Sequence, residues 1–517
     1  MATGEPRADR RPRRRTPSDN AASQAARGER YRQLVNPFDP IRIFADDQVE
    51  AMHQAALRVL EEIGVRVLLP EAREHFRKAG ASVEEGSRMV RIDRGLVQEA
   101  LHRAPPAYDL VAPAPHRTVR IAPRHLGVIP VGGPPHVTDL DRGKRSGTLE
   151  DFRNFAKLSQ SFDVIHCLGA CIEPQDIPTE FRHLETTLAQ LTLGDKAPFI
   201  FSRGGPQVED CFEMVRINAG SSRAQFEAQA HCYTVINTNS PLQLDIPMSQ
   251  GIIDFAAAGQ LSIITPFTLA GAMAPITLPG ALTQAHAEAL AGIALAQIVR
   301  AGAPVAYGAF TSNVDMKSGA PAFGTPEYVK AAFGAGQLAR HINLPWRSSN
   351  ANASNIADAQ AAYESEMSLW GAIMGGCNLL IHGAGWLEGG LAASYEKFIL
   401  DIEMLQMFAE LFQPVPFNED EIGVEAIAEV GPGGHFFGTS HTLGRYEKAF
   451  YTPLVSDWRN FGAWTEAGAK TATERASELW KKTLREFAPP AKDPAVTEAL
   501  ESFVARRRAE GGALPVS

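Results

Sequence analysis

The sequence predicts a (β/α)8 TIM barrel, carried between a small N-terminal α+β domain and a C-terminal helical extension. Three observations lead there. From Gly127 onward the pattern strand, loop, helix repeats eight times before Phe412, the spacing that parallel strands joined by crossover helices need. Most of the strand segments are apolar along their whole length, as strands covered on both faces are. Polar residues and glycines collect just beyond each strand, at the end where barrel enzymes build their sites.

Residues 1–33 read as a disordered basic tail, with Arg11 and Arg13 to Arg15 at its centre, and its minority alternative is an arm that docks on a partner. Residues 34–122 form the lead-in. Asp46 to Ile63 carries an apolar face of Met52, Ala56, Val59 and Leu60 and stops at Gly64. Further helices are expected at Pro70 to Lys78 and Arg94 to Arg103, and Tyr108 to Ile121 alternates like a strand. The barrel occupies 123–414. Its strands are expected at 127–131, 164–169, 198–202, 230–235, 262–269, 305–309, 346–349 and 378–382. Its helices are expected at 149–161, 180–193, 207–218, 248–258, 281–301, 326–341, 356–375 and 395–412. The extension, 415–517, holds a Gly-rich stretch around His435 and His441 and then helices at 465–487 and 494–510, separated by Pro489 and Pro490.

Composition narrows the function. A chain that is 44% hydrophobic and 21% charged has a sizeable core. Its net charge of −9 argues against nucleic acid. There is no uninterrupted apolar run of membrane length and no secretory h-region. Five scattered cysteines suit reduced thiols in the cytoplasm.

The strand ends define a neutral, amide-rich mouth: Gly132 and Gly133, Arg203, Asn237 and Asn239, Phe310 with Asp315, Asn350 with Asn352, and His382 with Gly383, Trp386 and Glu388. It lacks the His/Asp/Glu cluster of a metal hydrolase, a nucleophile elbow, and a GxGxxG after a strand. Glycines there admit a large planar or phosphate-bearing ligand close to the backbone. Tyr233, Phe267, Tyr307, Phe310, Trp346 and Trp386 could form an aromatic cage for a quaternary ammonium group, or could be core. His382 is open to three readings: base, anion ligand or satisfied core residue. Glu388 either orients a ligand or caps a helix. Arg203 either joins an ion pair or meets a substrate carboxylate. His166, Cys167 and Cys171 could hold zinc, although lone cysteines on strands are usually small core residues.

Several short segments, in order, resemble the trimethylamine methyltransferase (MttB) superfamily of corrinoid-dependent enzymes. They are Val131 to Pro135 with Gly147 to Asp151, Asn237 to Leu242, Ser312 to Lys317, Asn343 to Pro345, and Gly431 to His435 with His441 and Thr442. The resemblance implies a barrel that passes a methyl group from an amine to the cobalt of a corrinoid (cobalamin) carried by a partner protein, with none bound tightly to this chain. The founding enzymes carry pyrrolysine in the loop after the seventh strand. That position aligns with Ala351, flanked by Asn350 and Asn352. Without that electrophile, a quaternary amine such as a betaine is the implied substrate, because it leaves as a neutral tertiary amine with no further activation; glycine betaine methyltransferases are among the members that lack pyrrolysine.

On this reading Asn350, Asn352 and His382 serve catalysis. Arg203, Asn237, Tyr307, Phe310, Asp315, Trp346, Ala351, Trp386 and Glu388 bind substrate. Gly132, Gly133, Gly383 and His435 face the corrinoid. The expected partners are a corrinoid-binding protein, a small quaternary or methylated amine, and further copies of the chain. Two alternatives stay open: methyl transfer from another donor, possible with zinc, and a non-catalytic barrel that binds quaternary amines.

Overall fold

The computed structural model of the protein describes residues 28–516. Most of the expected basic tail, residues 1–27, lies outside them. The chain is a mixed α/β fold around a curled parallel sheet. Its ladder strands are β1 (His125–Val128), β2 (Tyr233–Thr238), β3 (Leu261–Ala270), β4 (Val305–Gly308), β5 (Trp346–Ser349) and β6 (Leu379–Ile381). They pair in parallel in the order β2-β3-β4-β5-β6-β1. After a break at Ala309, residues Phe310–Val314 resume beside the second half of β3.

Two expected strands are not ladder strands. The segments expected at 164–169 and 198–202 are tied to their neighbours by isolated bridges, Cys167 to Ala197 and Phe199 to Tyr233. Single hydrogen bonds continue around: His166 N–H to the Val128 carbonyl at 2.8 Å, and Ile200 N–H to the Tyr233 carbonyl at 2.9 Å. The sequence gives a physical reason. Pro198 has no N–H to donate, and Gly169 sits against Pro130, where a Cβ would lie 2.8 Å from the ring.

Helices cover the outside of the sheet: α1 (Leu149–Ser161), α2 (Thr179–Leu193), α3 (Gly205–Ala219), α4 (Ile246–Ala257), α5 (Leu278–Val299), α6 (Pro326–His341), α7 (Ala359–Met374) and α8 (Tyr395–Leu411). Their starts follow local chemistry. Thr148 and Asp151 make a reciprocal capping box on α1, and Asp245, Thr325, Asp358 and Ser394 cap α4, α6, α7 and α8 with their side chains. Helix α5 is buried on nearly all sides, so it shows no amphipathic stripe. It lies between the sheet and the N-terminal segment, where His286 meets both His53 (2.9 Å) and the Tyr307 hydroxyl (3.1 Å).

The N-terminal segment is sewn into the rest of the chain. Gln243–Leu244 pairs with Val65–Val67 and completes its small sheet. The expected strand over 108–121 is instead a hairpin, Tyr108–Leu110 against Val119–Ile121. It caps the N-terminal end of the sheet: Leu110, Val119 and Ile121 pack with Tyr233, Leu261, Ile263, Ala306, Leu379 and Ile381 in one apolar cluster. The C-terminal segment docks through two helices, Ala472–Glu486 and Pro494–Ala509. Trp480 of the first stacks on Tyr395 of α8 at 4.5 Å. The expected single helix over 465–487 is broken, with a short helix, Phe461–Glu466, preceding it. Among the described residues no helix is long and apolar enough to cross a membrane.

His166 shows how tightly the sheet constrains polar groups. Its Nδ1 accepts the Val128 N–H at 2.9 Å and its Nε2 lies 2.8 Å from the Tyr31 carbonyl. Burial pushes its pKa down to about 4. The folded state therefore resists a protonation that the unfolded chain accepts below about 6.5. Its contribution is intact above that pH and is lost as pH falls toward 4, up to about 3 kcal/mol. Urea midpoints measured from pH 7 to pH 4.5 should fall accordingly, and His166→Gln should flatten that fall while lowering stability at pH 7.

Candidate active site

At the C-terminal ends of the strands lies a cavity of about 280 Å³. Phe199, Phe201, Tyr233, Phe267 and Phe310 supply its rings; Gly132, Gly133, Arg203 and Asn237 also border it, and β5 and the end of β6 contribute Arg347, Ile381 and His382. The rings are mutually braced: Phe199 meets Phe201 edge-on at 5.0 Å, Phe267 lies 5.2 Å from Phe310, and Phe310 stacks on Phe323 at 5.2 Å. The Tyr233 hydroxyl is spent on the Leu168 carbonyl, which leaves the ring as an apolar wall. Among the described residues no aspartate or glutamate lines the cavity.

Arg347 is the residue that sequence reasoning missed. Strand side chains alternate between faces. In β5, Trp346 points outward, against Gly336 of α6 and Gly375 just after α7, where an added Cβ would come within about 3 Å of its ring. Its neighbour Arg347 therefore points inward. It is only 2% exposed, and its guanidinium lies 5.2 Å from the centre of the Phe310 ring. Its Nε and Nη1 have no hydrogen-bond partner. Burial lowers its pKa to about 10, so it stays charged at neutral pH.

His382 follows β6 in a left-handed conformation, φ 57°, which a non-glycine residue adopts only under constraint. Its ring stacks on Trp386 at 4.9 Å and lies 5.9 Å from Phe310. Nδ1 has no partner, so this is not a satisfied core histidine. Burial first, and then Arg347, hold its pKa well below the usual value, and the imidazole is neutral at pH 7.

Arg203 borders the cavity but is already engaged. Nη2 donates to Glu173 Oε2 at 2.8 Å, and Nη1 to Oε1. Burial pushes the Glu173 carboxyl up, yet Arg203 and Arg182 together hold it below the usual range.

The loops after β5 and β6 hang on a buried ion pair. Lys397 and Asp401 of α8 contact each other at 2.5 and 2.7 Å, and both are essentially inaccessible. Asp401 also accepts the Gly385 N–H at 2.8 Å and the Ser365 hydroxyl at 3.0 Å. Asn352 donates to Ser365 and to the Ala361 carbonyl, so it faces α7. Ala351 is held by Ser368, which donates to its carbonyl at 2.8 Å. Asn350 donates to the Gly383 carbonyl at 3.1 Å, leaving its Oδ1 without a partner.

The cavity thus gathers Gly132, Gly133, Arg203, Asn237, Phe310 and His382 from the expected set. Other expected residues lie elsewhere. Tyr307 points outward to His286, and Trp346 packs among the helices. Asp315 sits exposed at a hairpin tip, accepting from Lys317 and Ser318. Glu388 is paired with Lys144 at 2.6 Å. Gly383 is buried against Val128, where a Cβ would come within 2.5 Å. His435 lies in an exposed loop beside Phe437. Trp386 backs His382 without bordering the cavity. The zinc reading loses its ligands, since both His166 nitrogens are engaged and burial pushes the Cys167 and Cys171 thiols up to about 12. Among the described residues no three His, Cys, Asp or Glu side chains converge as a metal site.

The chain belongs to the trimethylamine methyltransferase (MTTB) family, whose profile matches residues 7–512, and it is a methyltransferase. It is 36% identical to a glycine betaine methyltransferase of Desulfitobacterium hafniense strain Y51, over 91% of this chain and 98% of the relative. It is 30% identical to the trimethylamine methyltransferase MttB of Desulfitobacterium hafniense strain DSM 10664 / DCB-2, over 91% and 94%. Among solved structures it is similar to the monomethylamine methyltransferase MtmB of Methanosarcina barkeri, at 10% identity and a TM-score of 0.45 over 93% and 97% of the two chains.

Asp401 is the point at which these loops can be tested. Asp401→Ala strands the buried Lys397 ammonium and should cost about 3–5 kcal/mol. The double variant Lys397→Met, Asp401→Leu should recover most of that loss in urea unfolding.

Proposed function

We propose that this methyltransferase takes a methyl group from a quaternary amine and delivers it to Co(I) of a corrinoid (cobalamin) held by a partner protein. The observation that carries the reading is the chamber's chemistry: five aromatic rings, a neutral histidine and, among the described residues, no aspartate or glutamate along its walls. Aromatic faces attract a quaternary ammonium through their quadrupoles. The C–N bond then breaks with its electron pair left on nitrogen, and the methyl carbon joins cobalt, which goes from Co(I) to methyl-Co(III). The leaving group is already a neutral amine, so no proton needs to be supplied. The protein's contribution is placement and exclusion of water. Ala351, where the founding enzymes carry their electrophile, supports a donor that needs no activation.

The rim suits a large acceptor. A Cβ built on Gly133, φ 81°, meets nothing within 4 Å, so the mouth is open at Gly133 toward a corrinoid. His382 borders the substrate without a competing charge, and Asn350 fixes the loop through Gly383. The isolated bridges at 164–169 and 197–202 support reading the curled sheet as an eight-membered barrel closed around this chamber.

Further copies of the chain are the partner that its surface favours. Phe417, Phe437, Trp458 and Phe461 of the C-terminal segment are all more than 70% exposed. The body carries its own uncovered stripe on α7, Tyr363, Met367 and Trp370. Apolar exposure on that scale marks an association surface, and one chain supplies both halves of it. Light scattering should find an oligomer that Phe437→Ser with Trp458→Ser weakens; a wild-type monomer at micromolar concentration sinks this part of the reading.

The reaction is tested anaerobically with reduced cobalamin, the cognate corrinoid protein and a panel of quaternary amines. Methyl-Co(III) absorbance should grow with at least one of them, and Phe310→Ala should weaken that substrate by roughly 5- to 30-fold. Conversion with tertiary amines but with no quaternary amine overturns the reading.

A further inference from the structure

We propose that Arg347 is the anchor for a carboxylate on the substrate, so that the enzyme selects an N-methylated zwitterion, a betaine, over quaternary amines that lack an acid group. The inference rests on the quaternary-amine reading above and adds to it a residue and a charge rule.

A buried guanidinium normally has an anion beside it, since leaving a charge unpaired in a protein interior costs several kcal/mol. Arg347 has none among the described residues. The groups that act on its charge are Tyr328 and Cys377, whose own ionisations burial pushes far up, and its one strong contact is the face of Phe310. Arg203, which also borders the cavity, is ion-paired with Glu173, a carboxylate it shares with Arg182, and His382 carries no charge. Arg347 is therefore the buried cation of the chamber that no carboxylate pairs among the described residues.

That charge sorts ligands. A simple cation such as choline gains from the rings but meets Arg347 in a poorly screened site. A zwitterion brings its own counter-ion: the carboxylate pairs with the guanidinium, and the ammonium keeps the rings. Phe310 touches both halves of this arrangement, since the ring under the guanidinium also borders the cavity. Arg203, the other candidate for the carboxylate, is held by Glu173 and would have to break that pair.

Calorimetry on the full chain separates the two halves of the claim. The probes are N,N,N-trimethylglycine, choline, and 3,3-dimethylbutanoate, which keeps the carboxylate and the shape but has no charge on its tert-butyl group. Wild type should bind trimethylglycine about 100-fold or more tighter than choline, with dimethylbutanoate between them. Arg347→Met should lose about 100-fold for trimethylglycine and bind choline no worse than wild type does. Removing an unpaired buried charge should also leave the ligand-free melting temperature of Arg347→Met no lower than wild type, which a structural arginine would not allow. Should Arg347→Met not fold, Arg347→Lys, which keeps the charge and loses the planar donor set, should weaken trimethylglycine by about 10-fold. Choline binding within threefold of trimethylglycine in wild type overturns the anchor, as does an unchanged trimethylglycine affinity in Arg347→Met or, where Met does not fold, in Arg347→Lys. Methyl transfer from choline as fast as from trimethylglycine would remove the anchor and leave the methyl-transfer reading standing. Tight trimethylglycine binding with no transfer of its methyl to Co(I) would do the reverse.

Discussion

Two fully buried cations, Lys397 and Arg347, lie close to the cavity and its loops, and the structure treats them in opposite ways. Lys397 is neutralised at once by Asp401 four residues on, one turn along the same face of α8. The pair then spends its spare lone pairs and protons on Ser365 and the Gly385 N–H, which is the condition for a buried ion pair to be tolerated. Through those contacts α8 fixes α7 and the turn after β6. Asn352 joins the same network, and Glu364 adds to it by accepting the N–H groups of Ala353 and Ser354. The loops that follow β5 and β6 are thereby held from behind. Arg347 receives no such partner. A chain able to place an aspartate under one buried lysine, and leaving a buried arginine bare nearby, has kept that positive charge for something that enters from outside.

The repeat and its helices were legible because their signals are local. Leu149–Ser161, Pro326–His341 and Tyr395–Leu411 begin at side chains that cap them, Thr148, Thr325 and Ser394, and a cap can be read from a few neighbouring residues. The segments at 164–169 and 198–202 were less legible, because their apolar composition is that of strands while Pro198 and the Pro130–Gly169 contact prevent a ladder. Hydrophobicity reports burial there, and pairing is decided by N–H groups. The hairpin at 108–121 was hidden for a related reason: alternation describes both of its arms, and the reversal lies in a stretch that holds Pro113 and Pro115.

The site was harder to read because it depends on parity. Trp346 and Tyr307 looked like cage residues by chemistry, yet each points to the helix side of its strand. Trp346 needs Gly336 and Gly375 to make room for it, and Tyr307 has His286 waiting. Once Trp346 is assigned outward, alternation turns Arg347 inward, and a lone arginine between Trp346 and Ser348 becomes the conspicuous residue of β5. Those glycines, in flanking segments that otherwise favour helix, were the available signal. Asp315 and Glu388 misled differently. Both are acidic residues beyond strand ends, but one closes its own turn onto Ser318 and the other pairs with Lys144.

The charge of the chamber also bears on the direction of the reaction. With a betaine bound, the ammonium, the carboxylate and Arg347 sum to one positive charge. After the methyl leaves, the amine is neutral, and only the Arg347–carboxylate pair remains. Transfer thus relieves a net charge inside a weakly screening cavity, where like charges a few ångströms apart repel by several kcal/mol. A glutamate among the aromatic rings would bind the quaternary nitrogen more tightly and would lose that interaction as the C–N bond broke, holding the ground state below the transition state. Rings attract the same cation more weakly and without a formal charge. A bare arginine and aromatic walls with no aspartate or glutamate among the described residues are therefore one electrostatic arrangement, in which a betaine's own acid group would hold it in place and leave the nitrogen ready to lose its methyl.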